Sequence, residues 1–522
     1  MGKVDSLKLY SKNLISRILE HEGLFCEHIP YCFSTKVLGN KYFIIKDELA
    51  KISTDPSFPL SFTMSKNSLL RRTISVPNLI SYIQLLSVYE ENWTELIKKA
   101  VSDNSESKFN LLVPFSYNTN FKNSIRTRNN KFVGYKVKLN IDISNCFDSI
   151  YTHSVSWALV GKENAKKIFN EAHDMDVALE PVYQIGEKID KATRKLNGDQ
   201  TNGIMTGPYS SYLFAEIVLA EIDRKLVDAD FAFTRYVDDY GFYFYSKSDA
   251  EAKIQVIAGI FREYNLSINS SKIKIESYPY DLLDDFGAIF EDDIKNNNLY
   301  AVLHKALGLY KQEKKGAIKY AFKMLLAKGD MSCLDQTVLN MVLGIVINIP
   351  EVSSLGIQLL EKTTDRQFLM KSEKRINQLL NRELQEGHDH ESMWLLYLLT
   401  KMELPIDADN LKLAIKTEND LLIIMCLDSI QSNSCNIYQH NEKHRSYFKD
   451  IQSIVSCFKE EIAMISNLIK NEDYTSSHWL LAYEVAFNNF RLDNNIKIYE
   501  SKNRNFYKIL SKNSISFYNK IK

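Results

Sequence analysis

The sequence predicts an α/β domain over residues 1–290, followed by an all-α domain of stacked helical repeats over residues 291–522. Three observations lead there. Lys136 to Ile143 alternates, with Val137, Leu139, Ile141 and Ile143 on one face and Lys138, Asn140 and Asp142 on the other, the period of a half-buried strand. Phe231 to Arg235 and Gly241 to Tyr245 are aromatic-rich runs around a tight polar turn, which signals a hairpin. Beyond about residue 290 strand signals fade and amphipathic helices follow one another to the end.

Ahead of the hairpin, Tyr209 to Leu226 reads as a helix, with Leu213, Ile217, Ala220 and Leu226 at roughly helical spacing. After it, Ser248 to Tyr264 reads as a second helix with Ser248 as N-cap, and Ile273 to Ser277 as a further strand. The acidic, Asn-rich stretch Asp284–Asn298 has the composition of a linker. Helices are then expected at Ala301–Leu326, Gln336–Ile347, Arg366–Leu384, Glu391–Met402, Asn419–Ile430, Phe448–Lys470 and His478–Asn488. Trp394-Leu395-Leu396-Tyr397 has a faint echo at Trp479-Leu480-Leu481-Ala482-Tyr483, and stacked helical pairs would bury such stripes.

A chain of 522 residues with 45% hydrophobic and 25% charged residues suits two or three water-soluble globular domains. The longest apolar stretch, Met341–Ile349, is about half of a membrane span. Met1-Gly2-Lys3-Val4-Asp5-Ser6 fits the loose myristoylation pattern, but nothing polybasic supports it as a second anchor. No charged-then-apolar signal segment opens the chain, so no membrane partner is expected. Seven cysteines without a Cys-x-x-Cys pair read as reduced thiols in the cytoplasm.

Net charge is zero, against the positive excess usual for a protein gripping a long duplex. Basic charge is local instead. Residues 105–138 carry Lys108, Lys122, Arg126, Arg128, Lys131, Lys136 and Lys138 against Glu106. Residues 497–522 carry seven basic residues against Glu500, interleaved with Tyr499, Phe506, Tyr507, Phe517 and Tyr518. Such patches suit short single-stranded nucleic acid, with a solvated face as the competing reading.

The chemistry concentrates in three carboxylates. Phosphoryl transfer from a nucleoside triphosphate needs divalent ions about 3.5–4 Å apart, and hard cations take carboxylate oxygens. Asp142 sits on the polar face of its strand, and Asp238 and Asp239 occupy the hairpin turn in Tyr236-Val237-Asp238-Asp239. Adjacent acids in a turn repel, and a metal is the simplest reason to keep them together. The order of parts reproduces a polymerase palm: strand with Asp142, glycine-containing turn into a helix, Asp-Asp hairpin, helix, then Lys272. His388, Asp389, His390 and Glu391 lie close enough to hold a metal, although a polar helix N-terminus explains them more simply. No Walker-type loop and no Cys/His zinc spacing occurs.

At these residues the sequence resembles the reverse transcriptases, through DISNCF and YVDD. Three stretches, FDSIYTHSVSWALVGKENAKK (147–167), QTNGIMTGPYSSYLFAEIVLAEID (200–223) and RYVDDYGFYF (235–244), look more like the bacterial abortive-infection (AbiK-like) and defence-associated members. The resemblance runs from about Arg71 to Lys274. It implies a reverse-transcriptase palm and fingers ahead of a HEAT-like helical domain, and an Mg²⁺- or Mn²⁺-dependent polymerase of deoxynucleoside triphosphates. Asp142 and Asp238 would ligate metal, with Asp239 completing the site. Phe147 would be the steric gate against a ribose 2′-hydroxyl. Gly207, with Ser211 and Gly203, would form the turn that packs the incoming base and sugar, and Lys272 would neutralise the leaving pyrophosphate. Arg71 and Arg72, ahead of Val76-Pro77-Asn78, are further candidates for triphosphate contact, as are Arg126 and Arg128. Thr206 stands where ordinary members have Gln before the glycine, which puts the usual template–nucleotide geometry in doubt.

The resemblance further implies phage defence, DNA synthesis primed on a tyrosine without a conventional template, a single-stranded product attached to the protein, and a homo-oligomer. Tyr10, Tyr42, Tyr507 and Tyr518 are the primer candidates, as mobile or exposed residues. The alternatives are an RNA-templated enzyme copying a dedicated non-coding RNA, and an inert nucleic-acid-sensing scaffold.

Overall fold

The computed structural model describes residues 13–52, 56–66, 69–106, 127–128, 130–174, 180–280, 285–328, 335–363, 365–432, 436–441, 444–470, 475–490 and 504–521. The myristoylation-like residues 1–6, Tyr10, Lys108, Lys122, Arg126, Tyr499 and Glu500 lie outside them. Nine strands are described: β1 Leu60–Ser65, β2 Arg71–Val76, β3 Val137–Asp142, β4 Phe233–Tyr236, β5 Asp239–Phe244, β6 Lys274–Ser277, β7 Ile406–Asp407, β8 Ile437–Asn441 and β9 His444–Tyr447. The chain divides into two units. One holds Met1–Glu27, Thr35–Pro59 and Ser75–Leu282; the other holds His28–Ser34, Leu60–Ile74 and Leu283–Lys522.

In the first unit β4-β5-β3-β6 form an antiparallel sheet. Its alternation is the one expected: Leu139, Ile141, Tyr240 and Phe242 are buried on the apolar face. The Lys247–Arg262 helix covers that face through Ala250, Ile257 and Phe261, spaced to lie on one helical stripe. Its N-cap is Ser246, not Ser248: the Ser246 hydroxyl accepts from the Asp249 amide at 3.1 Å. The Tyr209–Asp228 helix is buried along most of its length. Asn78, in the Val76-Pro77-Asn78 run, caps the Leu79–Glu91 helix by accepting from the amides of Ile80 (3.0 Å) and Ser81 (3.5 Å), a contact whose loss costs about 1 kcal/mol.

The second unit is a two-layered stack of helices. Leu299–Lys311, Gln336–Asn348, Arg366–Gln385 and Ala408–Lys416 follow one another in one layer. Gly316–Lys328, Ser353–Glu361, Asp389–Lys401 and Asp420–Ser432 follow one another in the other, each packed on its hairpin partner. Trp394 and Trp479 of the echoed motif are both buried, on helices that both pack against Asp420–Ser432.

Several expectations need correction here. The stretch expected as a linker holds a helix, Phe286–Lys295, capped by the Asp285 carboxylate accepting from Ala288 N at 3.0 Å. The single helix expected at 301–326 is two, broken where Glu313 takes a φ of 66°. The one expected at 448–470 is also two, Ile451–Cys457 and Lys459–Ile469. A small sheet, β7-β8-β9, accompanies the helices. The β1–β2 hairpin, through Ile74, lies with the C-terminal helices because its contacts are there: Thr63 N donates to Asp389 at 2.8 Å and Arg71 pairs with Glu391 at 2.6 Å.

Candidate active site

The sheet of the first unit brings the three carboxylates to one end. β3 ends at Asp142 and β5 begins at Asp239, and the antiparallel register makes them direct partners. Only Val237 and Asp238 join β4 to β5, with Tyr236 opposite Asp239. So tight a connection calls for positive φ, and Val237 adopts 55°, an uncommon conformation for a β-branched side chain. The Ile143 amide donates to the Asp238 carbonyl at 3.4 Å, tying the turn to the end of β3.

Asp142 is held from the opposite side by the residues that follow the Lys247–Arg262 helix. Lys272 Nζ lies 2.9 Å from Asp142 Oδ1, and the Asn269 side-chain amide donates to Oδ2 at 3.2 Å. The Asn269 backbone amide donates to the Asp142 carbonyl at 2.8 Å. Withdrawal from bulk water, then the charges of Asp238 and Asp142, push the Asp239 carboxyl up to about 7, with Lys272 acting the other way. Three converging carboxylates beside one lysine leave surplus negative charge on hard oxygen donors. That donor set fits Mg²⁺ or Mn²⁺.

A groove of about 280 Å³ runs from this cluster along the polar face of the sheet, lined by Asp142, Asp239, Lys272, Tyr236, Lys138 and Arg128. Gly241 shapes its floor, since a Cβ there would meet Lys138 Cε at 2.7 Å. Phe147 lies at the start of the short Cys146–Ser149 helix, half-buried and edge-on to Tyr212 at 5.2 Å. The Phe147 carbonyl accepts from Ile204 N at 2.9 Å, and Gly203 N donates to Ile150 at 3.0 Å, so the glycine turn is laced to the Phe147 segment. Gly203 and Gly207 take φ of 83° and 133°, values that favour glycine. Ser211 is buried in the first turn of the Tyr209–Asp228 helix, and the Thr206 carbonyl accepts from Ser75 N at 2.8 Å.

Beneath the turn lies a cluster that the sequence reading missed. Arg235 is fully buried, and its guanidinium binds Glu216 through Nη1 and Nη2 (2.9 and 3.0 Å) and Asp223 through Nε (2.9 and 3.0 Å). Tyr240 donates its hydroxyl to Asp223 at 3.0 Å. Removing one partner of such a buried pair typically costs about 3–5 kcal/mol. A signal was present: Glu216 and Asp223 sit seven apart, hence on one face, in the largely apolar stretch Leu213–Asp223, whose one further acid is Glu221.

Residues 85–284 match the profile of the family described as reverse transcriptase (RNA-dependent DNA polymerase). This segment is a reverse-transcriptase domain. The matched residues include Asp142, Phe147, Gly207, Ser211, Asp238, Asp239 and Lys272, and begin after Arg71 and Arg72. No curated protein matches the chain in sequence. Among solved structures, apo telomerase from Candida tropicalis lacking its C-terminal domain aligns at 16% identity over 47% of this chain and 56% of that one, with a TM-score of 0.30. Candida tropicalis telomerase with a fragment of telomeric RNA aligns at 13% identity over 70% and 68% of the two chains, and Candida albicans telomerase with such a fragment at 12% over 74% and 68%, both with TM-scores of 0.30. This chain thus spans little more than half the length of the truncated telomerase.

Outside the reverse-transcriptase domain, most of the other candidates have structural partners. Arg71 belongs to the second unit, where its guanidinium binds Glu391 and the Thr63 carbonyl. Arg72 is in the same unit, exposed on β2. His388 to Glu391 form the start of the Asp389–Lys401 helix: His390 bonds the His28 carbonyl at 3.0 Å and Asp389 accepts from Thr63. Within the domain, Arg128 pairs with Glu106 at 3.4 Å. The expectation of exposed tyrosines fails for three of the four. Tyr42 is buried, Tyr507 is buried with its hydroxyl on the Trp479 carbonyl, and Tyr518 is buried with its hydroxyl 2.7 Å from Asp428. Phe506 and Phe517 are buried too, so these C-terminal aromatics form a packed stripe instead of a stacking platform for bases. No single described helix is long and apolar enough to cross a membrane.

Proposed function

We propose that this chain is a metal-dependent deoxynucleotide polymerase of the reverse-transcriptase type acting in anti-phage defence, which starts DNA on a protein tyrosine and extends it without a conventional template. The observation that carries the polymerase reading is the Asp142–Asp239 register pair with Asp238 in the intervening hairpin. Asp142, Asp238 and Asp239 would hold the metal. Magnesium bound there supplies activation of the attacking hydroxyl and charge neutralisation at the leaving pyrophosphate. Lys272, fixed beside Asp142, adds positive charge for the triphosphate.

Phe147, half-buried beside the glycine turn, is placed in this reading as the sugar gate. Defence rests on the resemblance of the three quoted stretches. Priming on protein rests on zero net charge and on Thr206 in place of Gln. With Tyr42, Tyr507 and Tyr518 packed, the primer is sought at Tyr10 or at exposed tyrosines such as Tyr245 and Tyr278. The product would be single-stranded DNA joined to the protein, made by a homo-oligomer. Incorporation of labelled deoxynucleotide by wild-type protein and by Asp238→Asn tests the polymerase reading: equal incorporation by both would remove it.

A further inference from the structure

The turn that carries Asp238 is conformationally costly. Val237 sits at φ 55°, where a β-branched residue clashes with its own backbone. Something must hold it there. Arg235 Nη1, besides binding Glu216, donates to the Val237 carbonyl at 3.0 Å. The carbonyl belongs to the peptide plane between Val237 and Asp238, so its direction sets the direction in which the Asp238 side chain leaves the backbone. The guanidinium itself has no freedom, because Glu216 and Asp223 grip it from two turns of one long helix. The backbone of Arg235 is pinned as well, by Asn104 O at 2.8 Å and by Glu106 N at 2.7 Å.

We infer that Arg235 is a positioning residue for the metal site: it transmits the rigidity of the Tyr209–Asp228 helix, through the Val237 carbonyl, to the Asp238 carboxylate. This rests on the reading of Asp142, Asp238 and Asp239 as metal ligands. Lysine at 235 keeps the charge but cannot fork to two carboxylates and reach a carbonyl together. Glutamine at 216 keeps the shape and weakens the grip on the guanidinium. Glycine at 237 makes positive φ intrinsically acceptable, so the turn depends less on Arg235.

The test measures Mn²⁺ binding by calorimetry without nucleotide, beside thermal melting and labelled-nucleotide incorporation. Arg235→Lys and Glu216→Gln are expected to bind Mn²⁺ about tenfold or more weakly, the scale set by loss of an outer-shell support. In a Val237→Gly background the same substitutions are expected to weaken binding less, a coupling that a merely structural role does not produce. Asp238→Asn serves as the control that abolishes the site. Glu216→Gln decides the matter if Arg235→Lys does not fold. Wild-type Mn²⁺ affinity in the folded variants, or additive effects with Val237→Gly, would overturn the inference. A wild-type protein that binds Mn²⁺ through Asp238 yet incorporates no nucleotide would remove the polymerase reading and leave the positioning role standing.

Discussion

Asp142 and Asp239 are direct cross-strand partners at the end of a buried antiparallel pair, so two like charges face one another where opposite charges would stabilise the sheet. The arrangement is unfavourable by itself, and a divalent cation held by these carboxylates would offset the repulsion.

Asp238→Asn and Asp142→Asn each remove one negative charge while keeping shape. Nucleotide incorporation is expected to fall by about 10³-fold or more, the scale of losing several kcal/mol of charge stabilisation. Thermal melting of the metal-free Asp238→Asn protein should hold or rise, since repulsion is relieved, whereas Asp142→Asn also gives up the ion pair with Lys272. Near wild-type incorporation with magnesium would reject the assignment.

Phe147→Ala opens space beside the Cys146–Ser149 helix. Ribonucleotides should then compete with deoxynucleotides, read as the ratio of the two labelled triphosphates incorporated. A folded variant with an unchanged ratio reassigns Phe147 to packing against Tyr212.

Glu484 gives a pH prediction in the second unit. Burial pushes its carboxyl up to about 7, although Phe517 N, Ser516 and Asn488 all donate to it. An acid raised on folding makes the folded state bind the proton that the unfolded chain releases. Stability is therefore fully present below the ordinary value of 4.5 and falls as pH rises toward 7, by about 3 kcal/mol at most. Glu484→Gln, with the Asn488 amide turned to accept, should flatten that slope and melt higher than wild type at pH 8. A variant with the wild-type slope places the titration elsewhere.

Priming is tested by incubating RNase-treated protein with one labelled deoxynucleotide and magnesium, without primer, and boiling before a denaturing gel. Label is expected to stay with the protein and to vanish in Asp238→Asn. Label that appears only when RNA and a free primer are added would favour the templated alternative.

Local pattern made much of this legible. The period-two alternation ending at Asp142 and the aromatic runs around Val237-Asp238 need only neighbours in sequence, and β3, β4 and β5 lie there within a residue or two at each end. The Tyr209–Asp228 helix likewise follows from its own apolar spacing. The break at Glu313 was not legible, because a run of polar residues without Pro is as compatible with a solvated helix as with a turn.

What the sequence by itself determined is therefore the strands and helices around the carboxylates, the order of an α/β domain before a helical one, and the carboxylate, glycine and lysine motifs similar to those of reverse transcriptases, since each is written in short-range periodicity and turn chemistry. Tertiary structure decided the pairings: Asp142 opposite Asp239, Lys272 beside Asp142, Arg235 locked between Glu216 and Asp223, and Arg71 committed to Glu391. It also decided which tyrosines are buried. Those outcomes depend on which distant segments share a low-dielectric interior, where a charge must find its partner and a ring its neighbours, and no local window of sequence contains that information.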